Sequence, residues 1–394
     1  MNIVMVGGFA LYPKGTMSAR ALPLAQALVR RHHRVTLVLP PWDHPQDAGR
    51  RLNLDGVEVV NTPLPRNIPG WWHAALTSYL VRHTLALKPQ VVHIFKPKGF
   101  SGLTALALYA QRKMGRLHAR IVIDADDWEG AGGWNQLGGY NPLERAFFAW
   151  QERWLLSHAD AVITASRPLL ERALELRQGR HDVYYLPNGA VISALDPGNR
   201  KMLRRQLGFD DSPVVLWFTR FMEAPPKWVM NLFQAIERRF PNIRFLVVGA
   251  GLRGEEALFQ TALVQTRPAP KVVQTGWVEP EKLAGYLSVA DMAIYPLADT
   301  LVNRARCPAK LALLLGHGLP VVASDVGQAK EYIIHGESGF LVSPDSEGAF
   351  AEVVTALLGN PSLRKRLADG AQKRMMDFFH WDVLIDQALR AYGA

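Results

Sequence analysis

The residues of this sequence that most suggest chemistry are three cations just before a predicted helix. Arg304, Arg306 and Lys310 precede an apolar segment that ends at Gly316-His317-Gly318. A helix that begins near Pro308 points its free N–H groups and the positive end of its dipole toward the space that these cations share. The arrangement suits a phosphate or a diphosphate. The alternative is a buried crossover helix with a solvated basic entry.

Two more cations lie near the end of another predicted strand. Arg220 follows the strand Val214–Phe218, and Lys227 follows Pro225-Pro226, which indicate the start of a helix. Singly, each cation is typical of a protein surface. Because parallel strands end at the same edge of a sheet, we predict that Arg220, Lys227 and Lys310 converge on one diphosphate leaving group.

A loop in the first half of the chain, IDADDWEGAGGW at residues 123–134, holds several acids close together. Such acids can cap turns, bind a divalent cation, pair with basic groups or accept hydrogen bonds from sugar hydroxyls. We favour a sugar, because Trp128 and Trp134 offer aromatic faces to the apolar side of a pyranose ring. The acids are Asp124, Asp126, Asp127 and Glu129.

Two further segments leave predicted strands in the first half. His93, Lys96 and Lys98 follow or end the strand Val91–Phe95, where lysines are usually solvated but can bind a phosphate or a carboxylate. The first strand ends at Gly7-Gly8, and the next glycine, Gly15, is too distant for the full dinucleotide fingerprint. This absence disfavours an NAD-dependent enzyme.

The elements that position these residues alternate between strands and helices, which predicts two parallel α/β domains. Thr16 and Ser18 are candidate caps for a helix that continues to Arg31. A polar helix is predicted from Asp196 to Phe209. Further strands are predicted at residues 2–8, 35–39, 57–61, 120–124, 161–164, 244–248, 271–274, 292–295 and 320–323. Further helices are predicted at residues 72–87, 102–114, 142–157, 228–239 and 280–290.

The composition is that of an ordinary globular protein. The chain has 394 residues, 48% hydrophobic and 20% charged, which is enough for about two domains. A single cysteine, Cys307, excludes an internal disulfide and a cysteine-based metal cluster. The start MNIVMVGGF lacks the pattern of a secretory signal, and no stretch is long and apolar enough to span a bilayer. We therefore expect a cytoplasmic protein.

The net charge of +10 lies mostly in the first half. Residues 1–190 hold 22 Lys+Arg against 14 Asp+Glu, and residues 191–394 hold 23 against 21. We expect no nucleic-acid partner, because no helix-turn-helix, zinc-finger or RNP-like pattern is present. Peripheral contact with the inner membrane face stays open at residues 67–87, where Trp71 and Trp72 adjoin an apolar segment with Arg82 and His83. A core helix is favoured there.

Together these features resemble the retaining glycosyltransferases of the GT-B fold, family 4 type, over essentially the whole chain. The matching segments are Gly7-Gly8, VVH at 91–93, LPNGA at 186–190, Arg220 with Lys227, VVGAG at 247–251, GWV at 276–278, ADMAIYP at 290–296, CPAKLALLLGHGLPVVASDVGQAKEYI at 307–333 and HGESGFLVSPDS at 335–346.

The resemblance implies two Rossmann-like, doubly wound parallel-sheet domains that face each other across a cleft. Residues 1–190 would bind the acceptor and residues 191–375 the nucleotide sugar. A C-terminal helix at about 376–394 would pack back onto the first domain.

The predicted site residues fall into three groups, of which Arg220 with Lys227 and Gly276 to Val278 are carried over by the resemblance. Arg220, Lys227, Asp126 and Asp127 form the predicted catalytic group. The predicted donor and diphosphate residues are Lys310, Arg304, Arg306, Gly276, Trp277, Val278, Asp299, Thr300, Asn303 and Gly8. The predicted acceptor residues are Lys96, Lys98, His93, Trp128 and Glu129. The resemblance implies a UDP- or GDP-linked sugar as co-substrate, and neither a metal ion nor a further cofactor.

The sequence departs from the family pattern at two positions. The family usually carries two glutamates eight residues apart, one for the donor sugar and one for the ribose, where this chain has Ala305 and Leu313. Asp299, Thr300 and Asn303 are candidate substitutes. The family's histidine after the strand near residue 124 is not evident, and Asp126 with Asp127 would take its place, beside acceptor hydroxyls or the reacting centre.

The sequence thus predicts a metal-independent retaining hexosyltransferase that acts on a carbohydrate or lipid-linked acceptor. Two alternatives stay open. One is a non-catalytic partner subunit that binds a nucleotide sugar, and the other is a GT-B epimerase that releases the nucleotide.

Overall fold

The computed structural model describes residues 1–12, 14–66, 71–192 and 197–394. The chain divides into two compact units. The first comprises Met1–Gly189, Ala305–Cys307 and Trp381–Ala394, and the second comprises Ala190–Arg304 and Pro308–His380. Pro13 of the predicted glycine loop, residues 67–70 of the candidate membrane segment and Asp196 of the predicted polar helix lie outside the described residues.

The first unit is built on an 8-stranded sheet in the order β3-β4-β2-β1-β5-β6-β7-β8. Its strands are β1 Asn2–Val6, β2 Arg34–Leu39, β3 Arg51–Leu54, β4 Val57–Asn61, β5 Val91–Phe95, β6 Arg120–Ala125, β7 Ala161–Thr164 and β8 Val183–Tyr185. Neighbours pair in parallel except β3 and β4, which are antiparallel. The antiparallel edge strand β3 corrects the prediction of an all-parallel sheet. Its four residues, RLNL, alternate polar and apolar side chains and are mostly exposed, so no apolar run predicts this strand.

The second unit is built on a 6-stranded sheet in the order β11-β10-β9-β12-β13-β14. Its strands are β9 Val214–Phe218, β10 Arg244–Val248, β11 Val272–Gly276, β12 Met292–Tyr295, β13 Val321–Ser324 and β14 Phe340–Val342. All neighbouring pairs are parallel.

Helices separate most of these strands. They are α1 Leu22–Arg30, α2 Trp72–Ala86, α3 Gly99–Lys113, α4 Trp134–Leu137, α5 Pro142–His158, α6 Arg167–Leu176, α7 Pro197–Gln206, α8 Pro226–Arg239, α9 Glu256–Gln265, α10 Pro280–Val289, α11 Leu301–Ala305, α12 Ala309–Gly316, α13 Ala329–Tyr332, α14 Glu347–Leu358, α15 Pro361–Phe378 and α16 Trp381–Tyr392. A π-helical turn, Met17–Ala21, leads into α1, and Pro45–Asp47 form a 3₁₀ turn.

Each sheet is covered by helices on both faces. In β1, Ile3 and Met5 belong to a core shared with α1 and α16, whereas Val4 and Val6 belong to a core shared with α2, α3 and α5. Successive side chains of a strand point to opposite faces, so a strand that is apolar throughout must be buried on both. The second sheet repeats this division between two further cores. The predicted doubly wound α/β architecture is confirmed.

Residues 72–86 of the candidate membrane segment form α2. Leu76, Leu80 and Val81 of this helix are buried, and the last two pack in the core beneath α3 and α5. This burial agrees with the core-helix interpretation. Within the described ranges, no helix combines the length and the apolar character that a membrane crossing requires.

Candidate functional site

Glu223 organises the carboxyl end of β9 in the second unit. It is only 2% exposed. Its carboxylate accepts hydrogen bonds from Thr219 Oγ1 at 2.9 Å and from the backbone N–H groups of Arg220 and Met222 at 3.1 and 3.0 Å. Between them, Phe221 has a φ of 64°, a left-handed conformation that is unusual for a bulky residue. The carboxylate therefore holds a tight, strained turn in place.

The same carboxylate pairs with Lys310. Lys310 Nζ lies 2.6 Å from Glu223 Oε1 and 5.5 Å from the centre of the Phe218 ring. Lys310 is the second residue of α12, so its ammonium group lies at the positive end of that helix. The structure thus brings Lys310 and the backbone of Arg220 to one carboxylate.

Arg220 lies between a carbonyl group and an indole ring. Its guanidinium donates to Ala250 O at 3.4 Å and lies 5.2 Å from the ring of Trp277. Burial lowers the pKa of Arg220, and this effect is larger than the increase caused by the negative charges of Glu223 and Glu255. The indole of Trp277 is 40% exposed, so this face is open to a planar ligand.

Two glycines shape the backbone beside Arg220. Gly249 has a φ of 121°, and a Cβ there would lie 2.1 Å from Thr219 O. Gly276, with a φ of 67°, accepts a hydrogen bond from the N–H of Gly249 at 3.0 Å. Val278 is half-buried in the loop that follows. A side chain at Gly249 would therefore prevent the close approach of its backbone to that of Thr219.

Hydrogen bonds connect the predicted donor residues in two pairs, Asp299 with Arg304 and Thr300 with Asn303. Asp299 pairs with Arg304 at 2.5 and 2.7 Å on the surface. Thr300 Oγ1 accepts from the N–H of Asn303, whose own amide donates to the backbone oxygen atoms of Glu223 and Ala298, each at 2.9 Å. Asn303 is buried and supports the Glu223 turn. Its side-chain donors face protein atoms, which corrects its prediction as a donor-sugar contact.

The other predicted cations are Lys227 and Arg306. Lys227 is exposed at the second residue of α8. Arg306 belongs to the first unit, and its guanidinium lies 5.8 Å from the centre of the Trp134 ring. The two positions of the family's glutamates differ in burial. Ala305 is fully buried and Leu313 packs at the edge of a core.

In the first unit, Lys96 brings the predicted acids together. Its Nζ lies 3.2 Å from Asp126 Oδ1, 2.5 Å from Asp127 Oδ2 and 3.4 Å from Glu129 Oε1. Burial disfavours the charge, but the three carboxylates together raise the pKa of Lys96 well above its ordinary value. Like Phe221, Lys96 follows a strand in a left-handed conformation, with a φ of 61°. These acids thus pair with a basic group.

Lys98 completes this acid–lysine cluster. Its Nζ lies 2.5 Å from Glu129 Oε2 and 2.9 Å from Asn135 Oδ1, and it lies over the Tyr140 ring at 5.0 Å. Trp128 is half-buried next to Glu129, and its Nε1 donates to Ala131 O. Throughout the described part of the chain, no group of three or more His, Cys, Asp or Glu side chains is arranged to hold a metal ion.

Asp126 is a buried acid with a raised pKa. It accepts a hydrogen bond from Thr16 Oγ1 at 2.7 Å. Burial, reinforced by the charges of Asp127 and Asp124 and opposed by Lys96, raises its pKa to about 6. The Thr16 hydroxyl therefore contacts Asp126. It does not cap the following helix, which corrects the prediction made from the sequence. Gly8 lies at the end of β1, where its carbonyl accepts from Trp42 Nε1 at 2.8 Å.

His93 is fully buried, which corrects its prediction as an acceptor contact. Its Nδ1 lies 2.8 Å from Tyr392 Oη and its Nε2 lies 3.3 Å from Asp124 Oδ2. Burial lowers the pKa of His93, more than the neighbouring Asp124 raises it. Arg20 binds Asp124 with two hydrogen bonds of 2.9 Å and donates to Asn188 Oδ1 at 3.1 Å. These buried contacts lie inside the first unit, at the carboxyl ends of β5 and β6.

Comparison with known proteins identifies the family. Residues 15–189 match the family described as "Glycosyl transferase 4-like domain", and residues 212–360 match "Glycosyl transferases group 1". Together the two matches span most of both units. The chain belongs to the family 4-like glycosyltransferases.

Relatives of this glycosyltransferase support that assignment along the whole chain. It is 25% identical to a GDP-mannose-dependent alpha-mannosyltransferase of Mycolicibacterium smegmatis, over 100% of this chain and 97% of the relative. The sucrose-phosphate synthase of Thermosynechococcus elongatus superposes with a TM-score of 0.73 at 20% identity, over 100% and 98% of the two chains. HepE of Anabaena, solved in complex with UDP-glucose, also superposes with a TM-score of 0.73, at 18% identity over 99% of each chain. The two structures show that the fold is GT-B.

Two groups of this glycosyltransferase were missed by sequence reasoning. Glu223 is a single acid in a loop, and only its position three residues after Arg220 could have suggested it. Arg20 lies 104 residues from its partner Asp124, and no local pattern connects them.

Proposed function

We propose that this glycosyltransferase transfers a hexose-like group from a UDP- or GDP-linked sugar to a carbohydrate or lipid-linked acceptor, with retention at the anomeric carbon and without a metal ion or other cofactor. Donor binding is assigned to the second unit and acceptor binding to the first. The nucleotide-sugar dependence of the mannosyltransferase relative supports the donor class.

The observation that carries the proposal is the Arg220, Glu223 and Lys310 arrangement at the end of β9. Glu223 accepts hydrogen bonds from two backbone N–H groups and from the Lys310 ammonium group. It therefore holds both the backbone of Arg220 and the Lys310 side chain in place. An ammonium group has three N–H donors, so one lysine can bind a carboxylate and phosphate oxygens together.

In the proposed reaction, Lys310, Arg220 and the N–H groups at the start of α12 stabilise the negative charge that grows on the departing diphosphate. Cations held in place before the reaction need no reorganisation as that charge develops, and each is worth on the order of 3 kcal/mol in the transition state. The Trp277 indole, beside Arg220, is assigned to the nucleobase or ribose.

The acceptor is assigned to the exposed side of the acid–lysine cluster, around Asp127 and Trp128, while Glu129 is buried within the cluster. Asp127 is partly exposed although its carboxylate pairs with Lys96. A carboxylate held in this way can accept a hydrogen bond from a sugar hydroxyl, and a tryptophan ring can cover the sugar's apolar face.

The first experiment measures release of UDP or GDP from a panel of nucleotide sugars, with and without glycan and lipid-linked acceptors. Lys310→Ala and Arg220→Ala should each lower turnover by about a hundredfold or more. Arg238→Ala, which alters an exposed arginine of α8, is the matched control. Turnover that survives both substitutions would show that the diphosphate does not bind at this position. Tight binding without turnover across the panel would favour a non-catalytic partner.

A second experiment separates the acceptor from the donor. Asp127→Asn should lower turnover with the productive acceptor while the affinity for the donor stays within about twofold. A lower donor affinity with unchanged turnover would place Asp127 with the donor. The anomeric configuration of the product by NMR tests retention, and activity in a chelating buffer tests independence from metal.

A further inference from the structure

A group of aromatic side chains lies at the carboxyl edge of the first sheet. Trp42 follows β2, and Phe100 is the second residue of α3. Trp72 and His73 are the first two residues of α2. The Phe100 ring lies 6.2 Å from the ring of Trp42, 5.5 Å from that of Trp72 and 5.5 Å from that of His73. These four residues form the aromatic patch.

The aromatic patch is partly open to solvent. Trp42 is 37% exposed and His73 is also exposed, whereas Trp72 and Phe100 are half-buried. Each ring therefore packs on a neighbour and still presents part of its surface. Parallel α/β sheets bind their ligands at the carboxyl ends of the strands, so rings gathered at this edge indicate a binding surface.

The aromatic patch continues into the acid–lysine cluster. Trp42 Nε1 donates to Gly8 O, and a Cβ on Gly8 would lie 3.2 Å from Ser101 Oγ. Ser101 follows Phe100 in α3, and its hydroxyl donates to Lys96 O at 2.6 Å. Gly8 and Ser101 therefore connect Trp42 to Lys96, and one extended ligand can contact both the patch and the cluster.

The charges beside the rings balance each other. Lys14 Nζ lies 4.0 Å from the centre of the Trp42 ring and 3.3 Å from Asp43 Oδ2. Asp43 also accepts a hydrogen bond from the N–H of Ala10 at 2.9 Å, which holds its carboxylate in place. A paired cation and acid next to an indole ring suit a neutral molecule with hydroxyl groups, whereas an anion would need an excess of cations.

We propose that the aromatic patch is a second acceptor subsite, which binds a neutral sugar ring next to the one that reacts. The reacting sugar lies at Asp127. The next ring of the same glycan packs its apolar face on the exposed parts of Trp42 and Trp72, and its hydroxyl groups bond with Lys14 and Asp43. This inference rests on the proposed function and narrows its acceptor to an oligosaccharide of two or more rings.

A glycan fits the aromatic patch better than the hydrocarbon chain of a lipid does. The ion pair of Lys14 with Asp43 lies against Trp42, and a hydrocarbon chain would separate this pair from water without replacing the lost hydrogen bonds. Sugar hydroxyls replace those hydrogen bonds, and the pyranose ring still covers the aromatic face. The expected ligand is therefore the glycan portion of the acceptor.

The first measurement is binding of the full chain, without donor, to an array of neutral and acidic glycans of one to five rings. Neutral glycans of two or more rings should be retained, and isothermal titration with the best of them gives the dissociation constant. Trp42→Ala should raise this constant about tenfold, and added Trp72→Ala should raise it further. Phe100 stays unaltered, because it also packs against a core.

The matched control is Trp150→Ala, which removes an indole that is 48% exposed on α5 of the same unit. This variant should keep the dissociation constant within about twofold. Trp42→Phe, which keeps an aromatic face, should bind better than Trp42→Ala. If Trp42→Ala does not fold, Trp42→Leu takes its place, because leucine keeps apolar volume without an aromatic face.

The second measurement separates this inference from the proposed function. Trp42→Ala should lower kcat/KM about tenfold for an oligosaccharide acceptor and leave it within about twofold for the matching monosaccharide. An equal loss with both acceptors would overturn the second subsite while the transfer reaction stands. Glycan binding that depends on Trp42, without nucleotide release from any donor, would support the subsite and contradict the transfer reaction.

Three results of the binding measurement would overturn the inference, whether or not nucleotide is released. The first is that no oligosaccharide on the array binds. The second is that binding is confined to acidic glycans. The third is that the variant with both Trp42→Ala and Trp72→Ala binds as tightly as the unaltered protein.

Discussion

The carboxyl ends of β5 and β9 each lie beside a cluster of charged side chains in their own sheet, and the two clusters carry opposite balances of charge. At the first, Lys96, Lys98 and Arg20 contact Asp124, Asp126, Asp127 and Glu129. At the second, Arg220 and Lys310 lie around one acid, Glu223. Both edges hold a strained residue just after the strand, Lys96 and Phe221.

The difference agrees with the two ligands of the proposed function, a hydroxyl-rich acceptor and an anionic donor. Where acids and lysines neutralise each other, the remaining polar atoms suit a neutral, hydroxyl-rich molecule. Where cations outnumber the acid, the edge suits an anion. The following changes are ranked from the largest expected effect to the smallest, and each tests whether the charge balance distinguishes the two edges.

Lys96→Met should have the largest effect on stability. It would leave Asp126, Asp127 and Glu129 close together without the central cation, and breaking a buried ion pair on one side typically costs about 3–5 kcal/mol. Urea unfolding, followed by hydrogen exchange of β5 and β6, measures the loss in the first unit. Lys113→Met, at an exposed position of α3, is the matched control and should cost far less. Equal losses in the two variants would show that Lys96 does not hold the cluster together.

Glu223→Gln should destabilise the second unit by about 3 kcal/mol, because Lys310 and two backbone N–H groups would lose a buried charged acceptor. Hydrogen exchange of β9 and α12 measures this loss, with the exposed Glu352→Gln as control. Lys310→Met added to Glu223→Gln should cost less than the sum of the single changes, since each removes the other's partner. Strict additivity would contradict the pairing.

Asp126→Asn should change the pH dependence of stability by about 2 kcal/mol. The folded pKa of Asp126, about 6, lies above its ordinary value of 3.8, so the folded state binds this proton more tightly than the unfolded state does. The group therefore favours folding at low pH, and this contribution is lost as the pH rises through about 6. The stability of the wild type relative to Asp126→Asn should fall between about pH 4 and about pH 7.5 in urea unfolding. A difference that does not change with pH would place the pKa near its ordinary value.

Arg304→Gln should have the smallest effect. Its partner Asp299 is on the surface, where water and salt screen the pair. The midpoint of thermal unfolding should stay within error of the wild type, and the release of nucleotide should continue. A large loss of turnover would return Arg304 to the donor site as the sequence had predicted.

Much of the fold could be predicted from local patterns. Apolar runs such as Val214–Phe218 have nowhere to lie but inside a covered sheet, and turn residues mark their ends. Lys310 was predicted at the start of a helix because a basic residue preceded an apolar run of helical length. The roles assigned to these side chains in binding and transfer stay predictions.

The contacts inside the two edges could not be predicted, because they join distant parts of the chain. The Arg20 and Asp124 pair and the His93 and Tyr392 pair each connect residues whose separation in sequence exceeds any local period. Sequence also shows a cation without showing whether it is engaged. Arg304 and Arg306 appear equivalent in the sequence, yet one pairs with Asp299 and the other belongs to a different unit.

The place of α16 sets an order on folding during synthesis. Its residues Trp381, Leu384 and Ile385 are buried in the core of the first unit, beside β1 and α1. That core cannot be completed until α16 has left the ribosome. The last residue of the second unit, His380, is made just before α16. The unit that is begun first is therefore finished last, and until then it exposes an apolar face that a chaperone could cover.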